Sequence, residues 1–211
     1  TCVSLMAQVG FREFDQLSQS LQAAEKFFSR EEYDTVLLNL RRWDAIRGDT
    51  VAPLGNFAAM LTTLDIATIR FLYYSMHFDC VNEALVVIAS TLIGNLLRPP
   101  ARPSTVHFSQ NKSYFQEAWS SLERRKLMDG GCLSDHAALL FTYVRYVRDP
   151  QDAILHFGVD KFRMEEVIAA FNILGVEAHR AMSTCFPKIY SNCRPFVEGW
   201  SSAYPEVDAV I

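Results

Sequence analysis

Three consecutive residues, Ser134, Asp135 and His136, have the side-chain types of a catalytic triad. Triad members come from separate elements and converge in space, which three adjacent residues cannot do. A helix start explains the first two residues without catalysis, because a serine caps a helix well and an acid in the first turn complements the helix dipole. We therefore interpret this motif as the N-terminus of a helix.

Metal and nucleotide chemistry have little support in the sequence. His77 and Cys80 are three positions apart and could share a helical face, but a structural zinc site needs about four ligands. The sequence holds no HExxH motif, no CxxC pair and no glycine-rich phosphate loop, and Gly130–Gly131 lacks the lysine that such a loop requires. We expect no metal, no cofactor and no catalytic residue in this chain.

Cations and aromatic residues are mixed in one segment, at Tyr143, Arg145, Tyr146 and Arg148. Aromatic rings stack on bases and arginines hold phosphates, so this mixture suits single-stranded nucleic acid. A solvated charged face is the alternative interpretation. Other basic clusters are Arg41–Arg42, Arg98–Arg102 and Arg124–Lys126.

Helical periodicity dominates the elements that position these residues. Apolar residues recur at steps of three and four, first over 11–28 and then along most of the chain. Ser29 and Glu32 form a capping-box pattern, and further predicted N-caps are Asp65, Asp79, Ser134, Asp149 and Asp160. Glycines are predicted to end two helices, at Gly48 and Gly175. The turn-rich segment 45–55 predicts either a small β-hairpin or an irregular connector.

Composition supports the same fold class. The chain has 211 residues, of which 50% are hydrophobic, and only 9 glycines and 8 prolines. Few turn-forming residues argue against a many-turned β fold, so we predict an all-α, multi-helix bundle. The formal net charge of −4 excludes a uniformly basic nucleic-acid binder, although a local basic strip remains compatible with it.

Cysteine usage and apolar runs predict where the protein resides. The five cysteines are odd in number and widely spaced, which favours reduced thiols in a cytoplasmic or nuclear protein over a disulfide scaffold. The longest apolar run, 84–97, has 14 residues and is too short to span a bilayer, so we expect no membrane segment. The chain opens on Thr1, and we expect it either to begin inside a longer protein or to follow a removed tag.

Five segments follow one another in an order that matches a known family. They are Leu37–Gly55, Asp65–Leu97, Arg98–Pro99, Ser134–Leu140 and Phe157–Leu174. Together they resemble the C-terminal accessory region of DEAH-type RNA helicases, which comprises the end of a winged helix and a helical ratchet domain. The sequence SDHAALL at 134–140 is similar to the family's glycine-aspartate-histidine-leucine-threonine-leucine-leucine.

The resemblance implies a domain organisation. Residues 1–48 would end a winged-helix-like segment, residues 49–181 would form the helical ratchet, and residues 182–211 would be a tail rich in aromatic residues and proline. It also implies a function. The chain would guide single-stranded RNA and pack on the motor domains of its parent, which would use ATP and magnesium, whereas this chain would not hydrolyse ATP.

The resemblance further implies which side chains contact RNA: Arg98, His136, Arg145 and Lys161. The chain departs from the family pattern at Ser134, which replaces a glycine, and at Ala138, which replaces a threonine. It also carries Glu165 and Glu166 where basic or neutral residues are usual, and acids weaken a hold on phosphates. The alternative is therefore a helical scaffold that has lost RNA contact and binds a protein partner through the tail 182–211.

Overall fold

The computed structural model describes residues 29–48, 50–98, 115–116, 119–120, 123, 126–128 and 134–196. Helices make up most of these residues, which confirms the predicted all-α fold class. The helix predicted over 11–28 lies outside the described residues.

The helices with defined bounds are α1 Arg30–Arg42, α2 Pro53–Met60, α3 Ile66–His77, α4 Val81–Ile93, α5 Asp135–Arg148, α6 Pro150–Phe157, α7 Lys161–Cys185 and α8 Pro187–Tyr190. Residues 115–116, 119–120, 123 and 126–128 are also helical. Two short strands, β1 Ile46–Arg47 and β2 Thr50–Val51, form an antiparallel hairpin. Of the two alternatives for segment 45–55, the structure therefore has the hairpin.

Contacts along the backbone divide the chain into two units. Unit 1 comprises Thr1–Val81 and Glu177–Arg194, and unit 2 comprises Asn82–Val176 and Pro195–Ile211. The long helix α7 contributes residues to both units. The domain boundaries at residues 48 and 181 stay a prediction.

The core of unit 1 is rich in aromatic residues. Phe186, which follows α7, packs edge-on against Phe57 of α2, with 5.5 Å between ring centroids, and against Tyr73 of α3 at 5.1 Å. Leu61 and Leu72 are almost completely buried. A smaller apolar cluster of Leu40, Ala45 and Ile46 joins the end of α1 to the hairpin. This cluster holds the end of α1 against the hairpin.

The core of unit 2 is built on α4 and on facing residues of α5 and α7. Every residue from Ala84 to Ser90 is buried, which explains the continuous apolar run seen in the sequence. Tyr143 of α5 and Phe171 of α7 are fully buried, with 5.8 Å between their ring centroids. The chain after α4 then meets the chain before α7, where Leu97 pairs with Val159 in an antiparallel bridge.

Most predicted helix starts are confirmed. Ser29 and Glu32 form the full capping box, since the Ser29 amide donates to Glu32 Oε2 at 2.7 Å and the Glu32 amide donates to Ser29 Oγ at 3.2 Å. Asp65, Ser134, Asp149 and Asp160 each accept hydrogen bonds from first-turn amides. Ser134 therefore caps α5, as the interpretation without catalysis requires.

The predicted cap at Asp79 is wrong. Helix α4 begins at Val81, two positions later, and Asp79 has a positive φ of 50°. Its carboxylate instead accepts the Arg194 amide at 2.8 Å and lies 3.3 Å from the Arg194 guanidinium. A short-range pattern could not reveal this partner, because it lies 115 residues away.

Two predicted helix ends are also wrong. Helix α1 ends at Arg42, and Gly48, with a φ of 57°, lies in the hairpin turn, where a left-handed conformation is needed. Helix α7 continues through Gly175 to Cys185. There the missing side chain makes room for the ring of Phe196. Both glycines therefore serve tertiary contacts or turns and do not terminate helices.

Candidate functional site

The bridge between Leu97 and Val159 brings together two of the four predicted RNA contacts. The Arg98 amide donates to the Gly158 carbonyl at 2.8 Å, and the Asp160 amide donates to the Leu96 carbonyl at 2.8 Å. Arg98 therefore lies beside Asp160, and Lys161 follows as the first residue of α7. We call Arg98 and Lys161 the bridge cations.

Both bridge cations have acidic neighbours. Arg98 Nε lies 3.9 Å from Asp160 Oδ2, and Lys161 Nζ lies 3.7 Å from Glu165 Oε1. Each cation keeps about half of its side-chain surface exposed, at 54% for both. Exposed ion pairs of this kind contribute only about 0–1 kcal/mol, so an incoming phosphate could compete with these carboxylates.

Arg145 is held more firmly within unit 2. Its guanidinium stacks on the ring of Phe157 with Cζ 3.9 Å from the centroid, and Nη1 lies 3.3 Å from Asp152 Oδ2. The same carboxylate also contacts His156 Nδ1 at 2.8 Å. Only 25% of the Arg145 side chain is exposed. It is therefore better suited to joining α5 and α6 than to holding a phosphate.

His136 lies in the first turn of α5 and is exposed. It precedes Arg145 by nine residues on the same helix, which is about 13 Å along the axis and about half a turn around it. The two side chains therefore leave opposite sides of α5. The structure pairs Arg98 with Asp160, the residue before Lys161, but it does not gather all four predicted contacts into one cluster.

A cavity of about 560 Å³ lies in unit 2, beside the start of α5. Its wall includes Ser90 and Leu96 from the region of α4, Met128, and Ala138 and Leu139 of α5. Lys126 and Asp135 supply its charged groups. The volume suits a small ligand, but the hydrogen bonds of Thr91, Ser134 and Thr142 in its described lining all go to backbone groups, so we assign the cavity no reaction.

One cluster was missed by the sequence analysis. In unit 1, the Arg70 guanidinium of α3 lies over the ring of Trp43, with Cζ 5.1 Å from its centroid, and over the ring of Tyr74 at 5.4 Å. Arg70 and Tyr74 are four residues apart on one helix, a spacing that predicts contact. Trp43 comes from the segment after α1, so only the folded chain reveals the complete cluster.

Among the described residues, the largest pKa shifts belong to two buried side chains, Tyr143 and His179. Burial raises the pKa of Tyr143 to about 12 and lowers the pKa of His179 to about 4. His179 Nδ1 is 3.0 Å from the Tyr190 hydroxyl, so this imidazole belongs to a packed contact in unit 1.

Within the part of the chain that the structure describes, no group of three or more His, Cys, Asp or Glu side chains could hold a metal ion. No helix in that part combines the length and apolar character needed to cross a bilayer. Cys185 and Cys193 are free thiols.

Comparison with known proteins adds no relative: no family model matches the chain, and no curated protein matches it significantly. The resemblance to DEAH-type helicases therefore depends on the segments quoted above.

Proposed function

We propose that this chain is an accessory region of an ATP-dependent DEAH-type RNA helicase, which guides single-stranded RNA and packs on the motor domains. The bridge between Leu97 and Val159 is the observation that supports this most. The resemblance places an arginine at the end of one segment and an acidic residue near the start of another. These positions, Arg98 and Asp160, are far apart in sequence and adjacent in the fold.

The order of elements also supports the proposal. A helix, a two-stranded hairpin and a run of helices follow one another from α1 to α4, as expected where a winged helix gives way to a helical ratchet domain. Gly48 provides the left-handed residue of the hairpin turn. This support is weaker than the bridge, since such an order occurs in many folds.

The proposed chemistry is electrostatic. The bridge cations would contact RNA phosphates, while ATP and magnesium would act on the parent's motor domains. A phosphate would compete with long ion pairs of 3.9 and 3.7 Å, in which Glu165 is half exposed and Asp160 is 29% exposed. Contacts of this kind hold a strand without reading its sequence, which suits a region that guides a moving strand.

Fluorescence anisotropy with labelled single-stranded RNA tests this function. The double variant Arg98→Ser/Lys161→Ser should bind more weakly than wild type, and its affinity should depend less on salt. Two lost phosphate contacts correspond to a decrease of about 1.4 in the slope of log affinity against log salt. The control is Arg180→Ser/Lys188→Ser, which removes the same charge from exposed positions in unit 1. Equal affinities for the two double variants would contradict the assignment.

The parent protein offers an independent test. If the chain is a helicase accessory region, the reading frame upstream of the Thr1 codon encodes the motor motifs of a DEAH-type ATPase. Sequencing the transcript across that codon measures this directly, and an upstream frame without such motifs contradicts the proposal.

A protein-interaction scaffold is the second candidate, and two observations favour it. Three of the four predicted RNA contacts, Arg98, Arg145 and Lys161, lie within 4 Å of a carboxylate. Helix α7 also exposes a row of apolar side chains in unit 2. These side chains are Phe162, which is 71% exposed, Ile173 at 63% and Val176 at 65%. Phe162 and Ile173 are separated by about three complete helical turns, and Val176 lies one turn after Ile173, so the three side chains share a face.

A pull-down with nuclease-treated extract separates the two candidates. A scaffold should retain a protein that Ile173→Asp loses and that Leu155→Asp keeps, because Leu155 is equally exposed but lies on α6. A second pull-down, from untreated extract, that retains RNA and no such protein would argue for the helicase function.

A further inference from the structure

The Trp43, Arg70 and Tyr74 cluster lies on the exposed side of unit 1. Arg70 is positioned between two aromatic rings, and Tyr74 is 46% exposed. Tyr74 also meets Tyr73 edge-on, with 5.3 Å between centroids. These contacts orient the Tyr74 ring and restrict its rotamers, which lowers the entropy lost when a planar ligand stacks on it.

Arginines are concentrated around this cluster. Arg41 and Arg42 occupy the last turn of α1, directly before Trp43, and both are exposed. The next residue, Asp44, is paired with Arg47, whose Nε and Nη2 donate to its two oxygens at 2.7 and 2.6 Å. The pKa of Asp44 is lowered mainly by that hydrogen bond and to a smaller extent by Arg70. Around Trp43, four arginines therefore accompany one acid, although the whole chain has a net charge of −4. A second acid, Asp79, follows Phe78 and is paired with Arg194 at 3.3 Å.

Helix α3 continues the aromatic surface. Phe71, Tyr74 and Phe78, at the helix and its C-cap, are 45%, 46% and 77% exposed. Their spacings of three and four residues place them on one face, with rises of about 4.5 and 6 Å. Bases in one strand of a stacked helix are about 3.4 Å apart, so this row suits a strand that is stretched beyond that spacing.

We propose that unit 1 carries a binding surface for single-stranded RNA, on which bases stack along Tyr74 and Phe78 while phosphates contact Arg41 and Arg42. The inference rests on the proposed function and deepens it, since it adds a second contact region outside the bridge cations. Positive charge next to exposed flat rings favours this occupant over an acidic peptide, which complements the arginines but has no need of a row of rings.

The test is anisotropy with a short fluorescein-labelled oligouridine at low salt, using the full chain. Tyr74→Leu/Phe78→Leu should weaken binding at least about fivefold, because each stacked base contributes appreciably to affinity. Phe115→Leu/Trp119→Leu is the matched control, as it removes two exposed aromatic rings, also four residues apart, from unit 2. Wild type should also bind a labelled abasic strand of equal length more weakly than oligouridine. Thermal unfolding of each variant verifies that it is folded.

The outcomes separate this inference from the proposed function. If Tyr74→Leu/Phe78→Leu binds as Phe115→Leu/Trp119→Leu does while Arg98→Ser/Lys161→Ser binds weakly, the stacking surface is wrong and the proposed function stands. If only the unit 1 variant loses affinity, the stacking surface stands and the role of the bridge cations is wrong. If polyglutamate displaces the labelled oligouridine as readily as unlabelled RNA does, the surface binds acidic peptides and the inference is overturned. No binding by wild type overturns both proposals.

Discussion

The ring of Phe196 occupies the space that a side chain at Gly175 would need. A Cβ built on Gly175 would collide with the Phe196 ring carbons, and both residues belong to unit 2. Phe196 also packs against Phe171, with 5.4 Å between ring centroids. The part of the C-terminal tail that the structure describes in unit 2 is therefore seated on α7, and a glycine in mid-helix makes this possible.

Gly175→Ala should destabilise the protein by about 1–2 kcal/mol. Alanine normally stabilises a helix interior by roughly 1 kcal/mol relative to glycine, but here the added methyl group meets the Phe196 ring. Urea unfolding measures the effect. In a Phe196→Ala background, Gly175→Ala should instead increase the free energy of unfolding. The same destabilisation in both backgrounds would show that Phe196 is not the cause.

Asp65→Ala should reduce stability by about 1 kcal/mol. Asp65 Oδ1 accepts the amides of Ala67 and Thr68 at 2.9 and 3.0 Å, and the Thr68 hydroxyl donates to Oδ2 at 2.6 Å. Asp65→Ser keeps an N-cap acceptor and should lose less. Denaturant midpoints of the two variants provide the comparison, and equal losses would mean that the cap contributes little.

Because His179 is buried, the protein should become less stable at acidic pH. Burial lowers its pKa from 6.5 to about 4, so the unfolded chain binds a proton at pH values where the folded chain does not. The contribution of neutral His179 to the free energy of unfolding is therefore fully present above pH 6.5. The free energy of unfolding then decreases by about 3 kcal/mol as the pH approaches 4.

Unfolding free energies measured across this pH range test the assignment to His179. His179→Gln should flatten the pH dependence in this window, whatever its effect at neutral pH. The exposed His156 provides the control, and His156→Gln should retain the wild-type slope. A wild-type slope in His179→Gln would show that other groups, such as carboxylates, account for the acid sensitivity.

Asp79→Ala should increase hydrogen exchange at the Arg194 amide by about fivefold, which corresponds to the loss of a hydrogen bond of about 1 kcal/mol. That amide donates to Asp79 Oδ1 at 2.8 Å, and the Arg194 guanidinium donates to the Asp79 carbonyl at 2.7 Å. Asp79→Asn keeps an acceptor and tolerates the positive φ, so its exchange rate should stay closer to wild type. Unchanged exchange in Asp79→Ala would refute the role of the carboxylate.

Local signals in the sequence were sufficient for the fold class and for most helix starts. The Ser29 capping box, the Asp65 cap and the Asp149–Pro150 start each involve residues within one helical turn, so their hydrogen bonds follow from local spacing. The continuous apolar run of α4 likewise predicted a buried core helix, because apolar surface is removed from water, and every residue from Ala84 to Ser90 is buried.

Contacts between distant segments were decided only in the tertiary structure. Asp79 looked like a cap until Arg194 supplied its partner, and Gly175 looked like a helix end until Phe196 explained its missing side chain. The same holds for the candidate sites: Arg98 meets Asp160 through a bridge, and Arg70 meets Trp43 through the packing of α1 against later elements. Periodicity and capping describe interactions within a few residues, whereas these pairs depend on how buried surfaces bring remote parts of the chain together.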